Sequence, residues 1–257
     1  MNLRDQIVLI TGSSSGIGRE AALRFAAKGA VPVLVARSQD KLTELAQEIQ
    51  LRYNIEAPVY AMDVTDPDAV QTVTQAVLDR FGRVDILVNN SGFGVFKSTV
   101  EIPMEEVEAM MDVNYFGLVR MTKAILPSML ERNSGHIINT ASLAGFFAGP
   151  THGCYAATKF AVMGFSEALR FELHGTGVTL STINPGPVET PFFDNADRNK
   201  VPKFAAFLQP EAVADSVLRA AVERKPLYLL PKIGGIGIKL RYLFPSLYDR
   251  VMTRVKH

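Results

Sequence analysis

Cysteine is almost missing from this chain: Cys154 stands alone, so no internal disulfide can form and no multi-cysteine metal site can be built. Histidine is scarce as well. His136, His152, His174 and His257 show no ligand spacing such as H-E-x-x-H, and no catalytic metal is expected. No apolar run approaches the roughly 20 residues needed to cross a bilayer. The polar start, Met1 to Gln6, has none of the zones of a signal peptide, so a cytoplasmic protein is expected. An excess of one charge is also lacking. A net charge of +1 speaks against nucleic acid as the main partner and for a small molecule.

What is present is an ordinary globular composition, 47% apolar and 21% charged, over a length that can bury a substantial core. Short β-branched runs alternate with longer segments of helical period, the pattern of repeated βαβ units around a parallel sheet. Strands are predicted at Ile7 to Thr11, Val31 to Ala36, Ala57 to Ala61, Val84 to Asn89, Gly135 to Thr140, Val178 to Asn184 and Leu227 to Leu230. Helices are predicted at Gly18 to Lys28, Asp40 to Arg52, Asp66 to Phe81, Met104 to Leu130 and Gly153 to His174, with another starting at Pro210. Asp66-Pro67 reads as an N-cap with proline at the first helical position, and Gly82 and Gly175 as C-terminal stops. Residues 1–257 show no linker or repeat and are read as one α/β domain of Rossmann type, doubly wound, with helices on both faces.

The first strand runs into Gly12-Ser13-Ser14-Ser15-Gly16-Ile17-Gly18 and then a helix. Glycines there allow a tight turn and close backbone approach to a pyrophosphate, which helix N-terminal N–H groups would hold. At the end of the second strand an acidic residue would bind a ribose 2′-hydroxyl and repel a 2′-phosphate. Ala36 stands there instead, followed by Arg37-Ser38, which offers a guanidinium and a hydroxyl to a phosphate; NADP(H) is expected over NAD. Asp63-Val64 follows the third strand and either contacts the adenine or forms a capping turn toward Asp66.

Tyr155 and Lys159 share one helical face four residues apart, with Ser142 just after the fifth strand. A free phenol titrates near 10 and is a poor base at neutral pH, so a neighbouring ammonium is expected to lower it. Taken in order, Thr11 to Gly18, Asp63, Asn89-Asn90-Ser91-Gly92, Asn114, Ser142, Tyr155 with Lys159, and Pro185-Gly186 with Thr190 resemble the short-chain dehydrogenase/reductase family, from Ile7 to about Leu230. Ser91 is the one departure, where the family usually has alanine.

The resemblance implies a seven-stranded sheet of order 3-2-1-4-5-6-7 and a hydride exchanged between a nicotinamide and a carbonyl or alcohol carbon. It makes Tyr155 the proton carrier and Ser142 the hydrogen-bond donor to the substrate oxygen. Lys159 would hold the nicotinamide ribose, and Asn114 would anchor a water linking Lys159 to solvent. The cofactor site would comprise Gly12, Ser14, Ser15, Gly16, Ile17, Gly18, Arg37, Ser38, Asp63, Val64, Asn90, Gly92, Tyr155, Lys159, Pro185, Gly186, Val188 and Thr190. A homodimer or homotetramer, formed through the helices at 104–130 and 153–174, is implied as well.

Phe93, Phe146, Phe147, Phe192 and Phe193 lie in segments that this fold gathers at the open ends of the strands, and are expected to line a pocket for a bulky hydrophobic ketone or alcohol. His152 and Cys154 are read as neighbours of that pocket. A polar stretch at Asn195 to Lys200, within a lid of about 189–209, is expected to be mobile. From Lys232 to His257 the chain carries six Lys or Arg and one Asp, a net +5 that leaves −4 for the rest. This basic amphipathic tail either lies on an anionic membrane surface or packs over the pocket or a neighbouring subunit. An NADPH-driven carbonyl reductase is the leading expectation. An NAD(P)-dependent alcohol or hydroxysteroid dehydrogenase working in oxidation is its rival, and a non-catalytic nicotinamide-binding regulator the remote third.

Overall fold

The computed structural model describes residues 3–194, 196–201 and 205–253. Seven strands form a parallel sheet in the order β3-β2-β1-β4-β5-β6-β7. They are β1 (Ile7–Thr11), β2 (Val31–Ala36), β3 (Val59–Ala61), β4 (Ile86–Asn89), β5 (Gly135–Thr140), β6 (Val178–Pro185) and β7 (Leu227–Leu230). The order reverses between β1 and β4, which opens a crevice at their carboxyl ends.

Side chains alternate along β1, and each face of the sheet is covered. Val8 and Ile10 meet the apolar sides of α1 (Gly16–Ala26), α2 (Gln39–Tyr53) and α7 (Pro210–Glu223), through Phe25, Leu45 and Val213 among others. Ile7 and Leu9 face α3 (Pro67–Phe81), α5 (Leu118–Glu131) and α6 (Gly153–Glu172), through Val77, Ile125 and Leu169. The helix α4 (Met104–Met111) leads into α5 through a π-helical segment, Asp112–Gly117. Two short helices, α8 (Gly234–Leu243) and α9 (Pro245–Met252), follow β7.

Boundaries depart from the sequence pattern where the backbone has other partners. Pro58 has no N–H to donate and contributes only its carbonyl, to Leu34 N at 2.8 Å, so β3 begins at Val59 rather than Ala57. The Asp85 carboxylate takes the Ile7 N–H at 2.8 Å, and β4 begins at Ile86 rather than Val84. Asp66 caps α3, accepting from Asp68 N and Ala69 N at 3.0 Å, and Gly82 ends it at φ +68°. The helix expected to run unbroken from Met104 to Leu130 widens at Asp112–Gly117. There, Gly117 lies so close to Val64 that a Cβ on it would meet the valine methyl at 2.6 Å.

Candidate active site

The glycine turn after β1 is held in conformations that side chains resist. Gly12 and Gly16 sit at φ +65° and +51°, and a Cβ on Gly18 would fall 2.3 Å from the Gly12 carbonyl oxygen. The turn presses against two other segments at the strand ends. A Cβ at Gly12 would lie 3.0 Å from Ser91 Cα, and one at Gly16 would lie 2.9 Å from Thr190 Cγ2. Asn90 Nδ2 donates to the carbonyls of Thr11 and Gly12, both at 3.3 Å. At the N-cap of α1, Ser15 makes no side-chain capping bond, and no acidic residue lies in the first turn. Those N–H groups are therefore available to an anion.

Across the crevice the Arg37 side chain is 80% exposed, with Nη1 3.9 Å from Asp63 Oδ2. Asp63 Oδ1 accepts from Thr65 N at 3.0 Å and from Thr65 Oγ1 at 2.9 Å, while Oδ2 faces Arg37. Val64 is buried against the π-helical segment, which leaves only its backbone for a ligand. Ser38 occupies the N-cap of α2 without a side-chain capping bond, and its hydroxyl is not spent on the helix. The glycine cradle, the uncapped helix start and the exposed guanidinium fit a dinucleotide.

The chemical end of the crevice is built by β5, α6 and the loop after β4. Ser142 follows β5 at the start of a 3-10 turn, Leu143–Gly145; its hydroxyl accepts from Ala144 N at 3.1 Å and donates to the Pro185 carbonyl at 3.3 Å. Tyr155 and Lys159 lie one turn apart near the start of α6. Lys159 Nζ donates to the Thr140 carbonyl at 3.2 Å and stands 5.8 Å from the centre of the tyrosine ring. A Cβ placed on Gly92 would lie 3.0 Å from Asn114 Oδ1 and 3.6 Å from Lys159 Nζ, so only glycine leaves that space clear. The 185–190 segment closes the site from β6: Gly186 N donates to Leu230 O at 2.7 Å, Val188 is buried, and Thr190 Oγ1 donates to Val188 O at 3.3 Å.

Asn114 lies in the π-helical segment and reaches outside its own helix. Its Nδ2 donates to Phe93 O at 2.9 Å and Thr158 Oγ1 at 3.0 Å, and its Oδ1 accepts from Phe93 N at 2.9 Å. Both amide protons are thus spent on protein. A water at this place can only donate, to the remaining Oδ1 lone pair or to the backbone carbonyl.

The electrostatics correct one expectation. Burial pushes Tyr155 up to about 12, against an opposing hydrogen bond from Ser142, and burial pulls Lys159 down to about 8. The phenol is raised, not lowered. Its ring is enclosed by the edges of Phe96 and Phe192, at centroid distances of 5.6 and 5.5 Å, while the lysine ammonium is aimed at the Thr140 carbonyl.

The aromatic residues divide into two places. Phe93, Phe192 and Phe193 gather around Tyr155 together with Phe96, which the sequence reading passed over. The signal for Phe96 was its spacing, three residues beyond Phe93 in the same loop. Phe146 and Phe147 stand apart from this cluster and lie beside α8: Arg241 donates to the Phe146 carbonyl, and a Cβ on Gly237 would lie 4.0 Å from Phe147. His152 stacks on Phe96 at 4.1 Å, and Cys154 packs against the same cluster. In the segment expected to be a lid, Arg198 makes a two-pronged ion pair with Glu189, and Phe193 packs on Phe207 at 5.0 Å. Asn195 and residues 202–204 of that segment lie outside the described residues, as do 254–257 of the tail. Among the described residues no three His, Cys, Asp or Glu side chains cluster as metal ligands, and no helix is long and apolar enough to cross a membrane.

Comparison with known proteins agrees with this architecture. The family model for short chain dehydrogenase matches residues 6–201. Dehydrogenase/reductase SDR family member 7B of Danio rerio is 34% identical over 98% of this chain and 86% of its own length. Among solved structures, an alcohol dehydrogenase from the archaeon Thermococcus sibiricus, complexed with 5-hydroxy-NADP, is 30% identical over 88% of this chain and 96% of its own, with a TM-score of 0.80. A short chain dehydrogenase/reductase from Burkholderia phymatum, in complex with NAD, is 26% identical over 96% of both chains, with a TM-score of 0.88. The chain therefore belongs to the short-chain dehydrogenase/reductase family and is an oxidoreductase that uses a nicotinamide cofactor.

Proposed function

We propose that the protein is an NADP(H)-dependent reductase of bulky hydrophobic ketones, with Tyr155 as its proton donor. One observation carries the reading: Ser142 and Lys159 flank a buried phenol at the inner end of a crevice whose outer end presents Arg37. When bound, the nicotinamide supplies the hydride. Ser142 hydrogen-bonds the carbonyl oxygen, and Tyr155 gives that oxygen its proton in the reductive direction. Lys159, 5.8 Å from the centre of the tyrosine ring, holds the ribose. Asn114 is a positioning residue that clamps the 92–93 backbone to α6.

The preference for NADP(H) rests on Arg37, because the related structures include one with an NADP derivative and one with NAD. No acid occupies the end of β2, and the exposed guanidinium can pair with a 2′-phosphate as it pairs weakly with Asp63 here. Phe93, Phe96, Phe192 and Phe193 supply the apolar wall, with the Phe192 ring 5.5 Å from that of Tyr155.

Tyr155→Phe keeps the ring packing and removes the proton. It should still bind NADPH by fluorescence titration while turnover on activated ketones falls by about 10²–10⁴-fold. Unchanged turnover would remove Tyr155 from the chemistry. Arg37→Ala should weaken NADPH by about tenfold and leave NADH nearly untouched; equal weakening of both would end the phosphate role.

A further inference from the structure

We propose that α8 and α9 form a docking surface for an anionic phospholipid bilayer, lying in the plane of the headgroups. The inference is carried by inverted amphipathicity. α8 turns its glycines inward: a Cβ on Gly234 would meet Leu143 Cδ2 at 3.0 Å, and Gly237 approaches Phe147. Arg241, on the same side, donates to the Phe146 carbonyl and lies over the Phe160 ring at 5.3 Å. The opposite side carries exposed large apolar residues, while Ile238 and Leu240 are partly buried. Ile236 and Leu243, two turns apart, are 65% and 69% exposed, and the residues at the two caps of the helix, Ile233 and Phe244, are 69% and 58% exposed. A helix covered only by water has its apolar stripe the other way round.

Charge identifies the covering partner. Lys232, Lys239 and Arg250 are exposed in and beside these two helices, with Asp249 their single exposed acid. Lys239 falls on the apolar face between Ile236 and Leu243, where its stem can lie on hydrocarbon while the ammonium reaches phosphate. A twofold contact with a second copy would bring the basic patch against itself, which makes self-association the poorer match. With 10 residues, α8 is about 15 Å long, half the thickness of a bilayer core, so the pair lies on the surface and does not span. The surface adjoins the 143–148 segment that begins one residue after Ser142, and bilayer contact thus sits beside the site.

The test is co-sedimentation of the full chain with vesicles of phosphatidylcholine alone and of phosphatidylcholine containing roughly one-third phosphatidylserine, at low salt. Capture by the anionic vesicles and little by the neutral ones is expected. The triple variant Ile236→Ser, Leu243→Ser, Phe244→Ser should keep its circular dichroism and bind at least about tenfold less, since only exposed groups change. Lys239→Glu with Arg250→Glu should abolish the preference for anionic vesicles while sparing the fold. Failure of the unaltered chain to bind anionic vesicles would overturn the proposal, as would undiminished binding by the triple variant. So would light scattering in which the triple variant turns a dimer into a monomer while vesicles capture neither protein.

Discussion

Two helices of this molecule, α1 and α8, begin alike and mean opposite things. Each follows a parallel strand, β1 or β7, and each opens on closely spaced glycines, Gly16 and Gly18 or Gly234 and Gly235. In α1 the apolar side, with Ala22, Leu23 and Phe25, is buried on the sheet, and Arg24 pairs outward with Glu20 at 3.0 Å. Its glycines are needed at the mouth of the crevice, where backbone must come close to backbone and to a ligand. In α8 the glycines let the helix settle on its own protein, and Ile236 and Leu243 face out. A glycine-opened helix after a strand therefore reports close approach, and only the placement of its large apolar residues says whether a ligand or a neighbouring segment is approached.

The sharpest way to break this contrast is at Gly18. A methyl group there would sit 2.3 Å from the Gly12 carbonyl oxygen and 2.7 Å from Asn90 Nδ2, and backbone cannot give as a flexible side chain can. Gly18→Ala should cost about 3 kcal/mol or more in urea unfolding and abolish measurable NADPH binding. A stable variant with ordinary cofactor affinity would show that the turn is not tight.

Charge separates the two regions as well. Lys159 is buried and held near 8, whereas Lys239 is exposed on α8. The folded value lies below the unfolded one, near 10.5, so the cost of burying the ammonium is fully present below about pH 8 and is relieved as pH rises toward 10.5. Lys159→Met removes that cost and also the 3.2 Å bond to Thr140, a net gain of about 2 kcal/mol at pH 7. In urea denaturation the gap between variant and unaltered protein should close between pH 8 and 10.5. Above about pH 10, Tyr155 works the other way, because the unfolded phenol loses its proton before the buried one, whose value is about 12. A gap that widened with pH from 8 to 10.5 would contradict the burial of a charged Lys159.

Local pattern made most of the architecture legible. The seven strands appear in chain order where β-branched runs stand, and Asp66-Pro67 caps α3 as its residue types require. Candidate-site residues that share one short segment, such as Tyr155 with Lys159 and Gly12 to Gly18, lie together as their spacing predicts, for the same reason. What escaped depended on contacts distant in sequence. The direction of the Tyr155 shift is decided by Phe96 and Phe192 closing over the ring, which no spacing around Tyr155 reveals. Phe146 and Phe147 lie in a segment expected to gather at the open ends of the strands, yet the turn after Ser142 carries them to α8. The π-helical widening at Asp112–Gly117 leaves no mark on apolar periodicity, since it places Asn114 by tying it to Phe93 and Thr158.

The smallest effect refines the contrast most finely, at Gly237. This glycine lies inside α8 at a helical φ, and the nearest atom a Cβ would meet is Phe147 Cε1 at 4.0 Å, an ordinary contact distance. Helix propensity then decides the outcome, and Gly237→Ala should stabilise α8 by about 1 kcal/mol. Amide hydrogen exchange reads it locally, as roughly fivefold slower exchange across residues 237–243 with the sheet unaffected. Gly234→Ala should gain less or lose, because its Cβ would press on Leu143 at 3.0 Å. If both variants exchanged faster, the inner face of α8 would have to lie nearer the 143–148 segment than these distances allow, and its glycines would be as obligatory as those of α1.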